Sequence, residues 1–183
     1  MNRVSMQHEY FQNEIETRSL DEIQSGQLQR LQRIVHYVYD HNPIQRQRLE
    51  AQGLHPRDIQ SLADLSRLPF TGKEDLRNLY PLQMVCVEKS SIVEMHMSSG
   101  STGTPVVMPY TRNDLRQWGE CMARCYRMAG VNRGDVIQIT PSFGLFNGGF
   151  GFYHGASQMD LFVIPTGAGN TQRQITLARD FNT

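Results

Sequence analysis

Lysine is nearly absent from this sequence. Of its 18 basic residues only Lys73 and Lys89 are lysines, and 18 acidic residues bring the formal net charge to zero. A chain without a basic surplus has no electrostatic footprint for polyanions, so nucleic acid and an anionic membrane are excluded as first partners. Any anion site must rest on arginine, backbone amides or hydroxyls. Cysteine is scarce too: Cys86, Cys121 and Cys125 are an odd three with no CxxC pair. Neither a disulfide framework nor a structural zinc site is expected, and no metal ligands are assigned. Cys121 and Cys125, four apart, read as two small hydrophobes on a core-facing helical stripe. No apolar run approaches the ~20 residues of a membrane helix. The opening MNRVSMQHEYFQNEIE lacks the apolar centre of a signal peptide, so a cytoplasmic protein is expected. There is no internal repeat and no low-complexity segment.

What is present changes character near residue 90. The first half is helical and charged. Ser19 with Glu22 forms a capping box, after which Leu28, Leu31, Val35 and Val38 recur at helical spacing. Asn42-Pro43 stops that helix and opens a short second one, which Gly53 ends. Ser61 with Asp64 and Thr71 with Glu74 repeat the start signature before Pro81. Residues 1–81 are thus expected to form three or four short helices whose apolar faces need a partner. The second half is expected to supply it, because strand-like runs at Ile92 to Met97, Pro105 to Tyr110, Asp135 to Thr140 and Leu161 to Pro165 alternate there with helical stretches. A helix is expected to start at Thr111 with Asp114 and end at Gly130, and another to start at Thr171 with Gln174.

This alternation defines an α/β class, with an N-terminal helical segment (1–90) packed on a partial sheet (91–183), both parts of one domain. Two or three such strands plus a hairpin leave open edges, so 183 residues are expected to be a truncated domain.

The segment richest in chemistry is Ser98-Ser99-Gly100-Ser101-Thr102-Gly103-Thr104-Pro105. Hydroxyls and small residues leave backbone amides unobstructed, which suits a polyphosphate where lysine is scarce. The Gly-Lys-Ser/Thr ending of a Walker A loop is missing, and the same composition fits a plain Ser/Gly turn. Downstream, GLFNGGFGFYHGA combines glycines with Phe143, Phe146, Phe150, Phe152 and Tyr153, a set that lets a helix approach a flat ring or simply pack closely on another element. His154 is a polar contact there or a satisfied half-buried histidine. His96 reads as structural, and His8, His36, His41 and His55 have no partner in view. Gly167-Ala168-Gly169-Asn170 lacks the GxGxxG dinucleotide pattern, so an NAD site is not supported.

SSGSTGTP, GLFNGGFGFYHGA and VIPTGAGNTQRQ together, with the helical entry LQRLQRIVHYVYDHNPIQRQRLEAQGLHPRDIQSLADLSRLPFTGKEDLR, resemble the phenylacetate-CoA ligase family of adenylate-forming acyl-CoA synthetases. The resemblance runs from about Tyr10 to Phe181. It implies an acid attacking the α-phosphate of ATP to give an acyl-adenylate, then displacement of AMP by coenzyme A, with Mg²⁺ neutralising phosphate charge. It assigns ATP phosphate contacts to Ser98, Ser99, Gly100, Ser101, Thr102, Gly103 and Thr104. It assigns the acyl pocket to Phe143, Gly144, Phe146, Gly149, Tyr153 and His154, and a nucleotide-proximal turn to Gly167, Gly169 and Asn170. An aromatic acid and a nucleotide are the small-molecule partners implied.

Two departures stand out. Thr104 replaces the lysine usual after the loop glycine, and Tyr153-His154 with Ser157 replaces the family's His-Tyr-Gly-Ala-Glu order. The adenine, ribose and magnesium motifs and the lysine-bearing C-terminal domain of such ligases are not found here, so no catalytic residue is assigned. The chain is expected to be inactive alone, completed by a missing C-terminal part or self-associating through its open edge. Two alternatives stay open: a non-catalytic binding or regulatory remnant, and an adenylating synthetase acting on a flavin-like cofactor.

Overall fold

In a computed structural model of the chain, residues 10–98 and 103–183 are described. They form two compact units: residues 17–92 with 103–107, and residues 10–16, 93–98 and 108–183.

The first unit is built on α2 (Leu20–His41) and α3 (Pro43–Ala51). At the head of α2, Glu22 N–H donates to Ser19 Oγ at 3.3 Å and Ser19 N–H donates to the Glu22 carboxylate at 2.8 Å, which is the expected capping box. Asn42 closes α2 and starts α3: its N–H donates to Val38 O at 3.0 Å, and its Oδ1 accepts from Gln45 N–H at 3.1 Å. It is 2% exposed, and its Nδ2 also donates to Gln83 O at 2.9 Å, tying the helix corner to the segment after α4 (Lys73–Asn78).

Val35, Leu49, Leu54 and Ile59 are buried together, with Leu31, Tyr39 and Leu68 against them. The partner expected from the second half is, for this cluster, the first half itself. Of the four periodic residues in α2 only Val35 is buried, because a 22-residue helix offers more surface than the short elements after it cover. Asp64 accepts from the N–H groups of Gln60 and Ser61 and from the Ser61 hydroxyl, heading a 3-10 segment at Leu62–Arg67. The Arg67 guanidinium, followed by these bonds, lowers its carboxyl from 3.8 to about 2. The cap of α4 is Gly72, not Thr71, since Gly72 N–H donates to Asp75 at 2.7 Å. His41 stacks on Tyr37 and His55 accepts from Arg57 N–H, so neither lacks a partner as expected; His8 lies outside the described residues.

The second unit begins with α1 (Asn13–Glu16) and contains β1 (Ile92–Met97, its first residue in the other unit), β2 (Val107–Thr111), α5 (Arg112–Met128), β3 (Val136–Gln138), α6 (Gly148–Gln158), β4 (Phe162–Ile164) and α7 (Thr171–Phe181). β1 pairs with β2, and β3 pairs with β4 in parallel, Ile137 opposite Val163. A parallel pair needs a crossover, and α6 provides it. Thr111 caps α5 by accepting from Asp114 N–H at 3.3 Å, as its sequence signature predicts.

The core joins Ala123, Tyr126, Ala156, Met159 and Leu161, so α5 and α6 are its centre. Burial pushes the Tyr126 phenol up to about 12, and its hydroxyl donates to Phe152 O at 3.0 Å. Cys121 and Cys125 are exposed and free, a correction to the core-facing reading: the stripe of α5 that meets α6 runs through Gly119, Ala123 and Tyr126 instead. The cap of α7 is Asn170, one residue before the expected Thr171. Its left-handed backbone (φ +46°) lets Oδ1 accept from Arg173 N–H at 3.0 Å.

Candidate functional site

Three glycines set the geometry between α5 and α6. A Cβ on Gly151 would sit 2.6 Å from Trp118 Cζ2, and one on Gly155 would sit 2.4 Å from Met122 Cβ; on Gly119 of α5 it would meet His154 O at 2.9 Å. The flat ring that the glycine-rich helix approaches closely is therefore the chain's own Trp118. Gly149 is buried as well, within 3.1 Å of the Phe143 ring by the same measure.

On this platform the structure gathers polar groups that the motifs alone did not join. On β1, alternate residues Ile92, Glu94 and His96 turn inward. His96 is 1% exposed, ringed by Tyr110 and Trp118 at 5.7 and 5.8 Å between centroids and by Phe150 at 5.3 Å. Its Nε2 lies 2.7 Å from Glu94 Oε1 and its Nδ1 3.2 Å from Leu145 O. His154, from α6, places Nε2 at 3.0 Å from the same Glu94 oxygen and 3.2 Å from the other. One carboxylate thus serves two imidazoles inside an aromatic wall.

Burial works against the ionised Glu94, but hydrogen bonds from His154 and His96 outweigh it and hold the carboxyl below its usual 4.5. A depressed carboxyl contributes stability above its unfolded value, and that contribution is lost as pH falls through the folded value. As pH falls below 4.5 the urea midpoint of the wild type is therefore expected to fall further than that of Glu94→Gln. Equal falls would remove Glu94 from the acid response.

Of the expected acyl-pocket residues, Phe143, Gly149 and His154 come together through Phe150, which is 5.3 Å from Phe143 and 6.3 Å from His154 between centroids. Phe146 is 68% exposed and lies apart from that group beside Gly148, while Tyr153 is 42% exposed and meets His154 edge-on. Gly144 is exposed. Of the expected phosphate-loop residues, Ser99, Gly100, Ser101 and Thr102 lie outside the described residues. Ser98 is half-buried one residue beyond β1, and Gly103 and Thr104 are exposed, Gly103 at φ +126°. Gly167, Gly169 and Asn170 form the turn after β4: Gln174 Nε2 donates to the carbonyls of Gly167 and Gly169 at 3.0 and 2.7 Å. Those carbonyls are committed to the turn.

Glu94 and Trp118 were not singled out from the sequence. The signal for Glu94 was available, since an acidic residue two places before His96 on a strand shares its face. Trp118 had no local signal, because its role depends on which helix faces α5. Among the described residues no group of three or more His, Cys, Asp or Glu side chains could hold a metal ion, and no helix is long and apolar enough to cross a membrane.

With a TM-score of 0.85 over 98% of the chain, the fold matches a crystal structure of 2-hydroxyisobutyryl-CoA ligase in complex with 2-HIB-AMP and CoA in its thioester-forming state, at 30% identity and over 38% of that protein. The fold is thus that of a segment of an adenylate-forming CoA ligase. The sequence is 43% identical over 167 residues to phenylacetate-coenzyme A ligase of Pseudomonas putida and 42% identical to that of Escherichia coli K12. Each match covers 91% of this chain and 38% of the relative. Over nine-tenths of its length the chain is similar to phenylacetate-CoA ligases, and it spans about two-fifths of the length of these curated relatives. No protein-family model matches it.

Proposed function

We propose that this chain is the phosphate-loop and acyl-pocket portion of an ATP-dependent, AMP-forming aryl-acid CoA ligase acting on a phenylacetate-like acid through an acyl-adenylate. The observation that carries this is the 43% identity to a phenylacetate-coenzyme A ligase over nine-tenths of the chain. In this reading regions 1–90 and 91–183 are parts of one larger domain.

The loop from Ser98 to Thr104 holds ATP phosphates with hydroxyls and amides, a donor set that fits polyphosphate oxygens. Mg²⁺ would neutralise charge on those phosphates, and no described residue is assigned to hold it. The aromatic wall of Phe143 and Phe150, with His154 beside it, supplies the acyl side. Gly167, Gly169 and Asn170 border the nucleotide. Coenzyme A is the acceptor.

The test is a chimaera in which this chain replaces the corresponding 38% of the Pseudomonas putida enzyme. Phenylacetate-dependent ATP–pyrophosphate exchange by the folded chimaera is expected. A folded chimaera that binds nucleotide but shows no exchange with aryl acids would leave a binding module in place of a ligase segment, the reading favoured by Thr104.

Thr104 carries its own prediction. A lysine there adds a charge-assisted bond to phosphate of about 1–3 kcal/mol, so Thr104→Lys tightens ATP binding by at least about fivefold in calorimetry. Unchanged or weaker affinity counts against the loop role.

A further inference from the structure

The proton count around Glu94 has a consequence. His96 presents both ring nitrogens to oxygen acceptors, Nε2 to the Glu94 carboxylate at 2.7 Å and Nδ1 to Leu145 O at 3.2 Å. A carbonyl oxygen donates nothing, so Nδ1 must carry a proton to bond there. The two imidazoles favour the ionised form of Glu94. The same carboxylate faces His154 Nε2 with both oxygens, at 3.0 and 3.2 Å, so the proton of a singly protonated His154 sits on Nε2 and its Nδ1 is the acceptor nitrogen.

We infer that Glu94 is the positioning residue for His154, fixing the imidazole of α6 as its Nε2–H tautomer, while the same half-buried carboxylate also meets His96 Nε2. This rests on the proposed acyl site for the meaning of His154, not for the proton arrangement. Titratable groups facing the cluster come from every packed element: Glu94 and His96 from β1, Tyr110 from β2, Tyr153 and His154 from α6. α5 contributes the ring of Trp118, and its Asp114 acts on Tyr110 through space. Among these the Glu94 carboxylate is the group that hydrogen-bonds both imidazoles. The arrangement also gives physical content to the Tyr153-His154 order: the imidazole at position 154 reaches Glu94, while Tyr153 is largely exposed.

The test reads protons directly, by nitrogen-detected NMR of the histidine rings at pH 7. In the wild type His154 is expected with its proton on Nε2, and His96 with a proton on Nδ1. In Glu94→Gln, whose amide cannot serve two N–H donors as an anion does, His154 loses its single tautomer. Glu94→Asp, which keeps the charge, retains both signatures at least in part and serves as the folded comparison should Glu94→Gln prove unstable.

In the chimaera the matching result is a fall of about tenfold in kcat/KM for the acid in Glu94→Gln, with a changed pH profile and recovery in Glu94→Asp. A His154 proton on Nδ1, or an unaltered His154 spectrum in Glu94→Gln, overturns the inference whether or not the chimaera is active. An inactive chimaera with the expected spectra supports the inference and counts only against the ligase reading.

Discussion

Gly155→Ala is expected to lower stability by about 1–2 kcal/mol, read from the urea midpoint at constant m-value. An alanine in mid-helix would by itself be favourable by about 1 kcal/mol relative to glycine. Here its Cβ would lie 2.4 Å from Met122 Cβ and 3.1 Å from the Met122 backbone carbon. Neither atom can swing aside as a side-chain tip can, so α5 and α6 must separate. Overpacking of this kind costs about 1–3 kcal/mol and occasionally more, and it outweighs the propensity gain.

The comparison variant is Gly144→Ala, where a Cβ meets nothing within 4 Å and a change under about 0.5 kcal/mol is expected. Similar effects at the two sites would mean that α5 and α6 do not pack as described. Since α5 carries Trp118 and α6 carries His154, Gly155→Ala should also weaken binding of an aromatic acid, an effect Gly144→Ala need not share in kind.

The second large effect is at Asn42. Asn42→Ala removes the cap of α3, worth about 1 kcal/mol. It also removes the Nδ2 bonds to Gln83 O at 2.9 Å and Val85 O at 3.4 Å, each worth about 0.5–1.5 kcal/mol. The total expected is about 2–4 kcal/mol. Asn42→Asp separates the two contributions, since it keeps the acceptor for Gln45 N–H but turns a carboxylate toward two carbonyl oxygens. Asn42→Asp should therefore be destabilised as well, more so at pH 7 than at pH 3, where the carboxyl is protonated and can donate. If Asn42→Ala loses under about 0.5 kcal/mol, the helix corner is not what ties α2 and α3 to the segment at 83–85.

Element by element, local signals proved legible where their chemistry is local. Ser19 with Glu22 and Thr111 with Asp114 are capping boxes because an acceptor three residues from a donor needs only the first helical turn to find it. Asn42-Pro43 was readable as a helix boundary for the same reason. Caps at Thr71 and Thr171 were misplaced by one residue, because Gly72 and Asn170 supply the non-helical backbone that a cap requires. At the site, the aromatic and glycine-rich stretch 143–156 was legible as a place of close approach, but not what it approaches. Cys121 and Cys125 were read as core residues because i,i+4 spacing marks a face without saying whether that face is covered.

The sequence by itself determined the capping boxes at Ser19 and Thr111, the strand segments and the family resemblance, since these rest on spacing along the chain and on three ordered motifs. The tertiary structure alone decided that Glu94 joins His96 to His154 and that Trp118 fills the space left by Gly151. The reason is physical: a hydrogen bond between residues 60 apart, or a side chain seated on a missing Cβ, depends on which faces α5, α6 and β1 turn toward one another. No local spacing encodes that choice; burial and close packing make it.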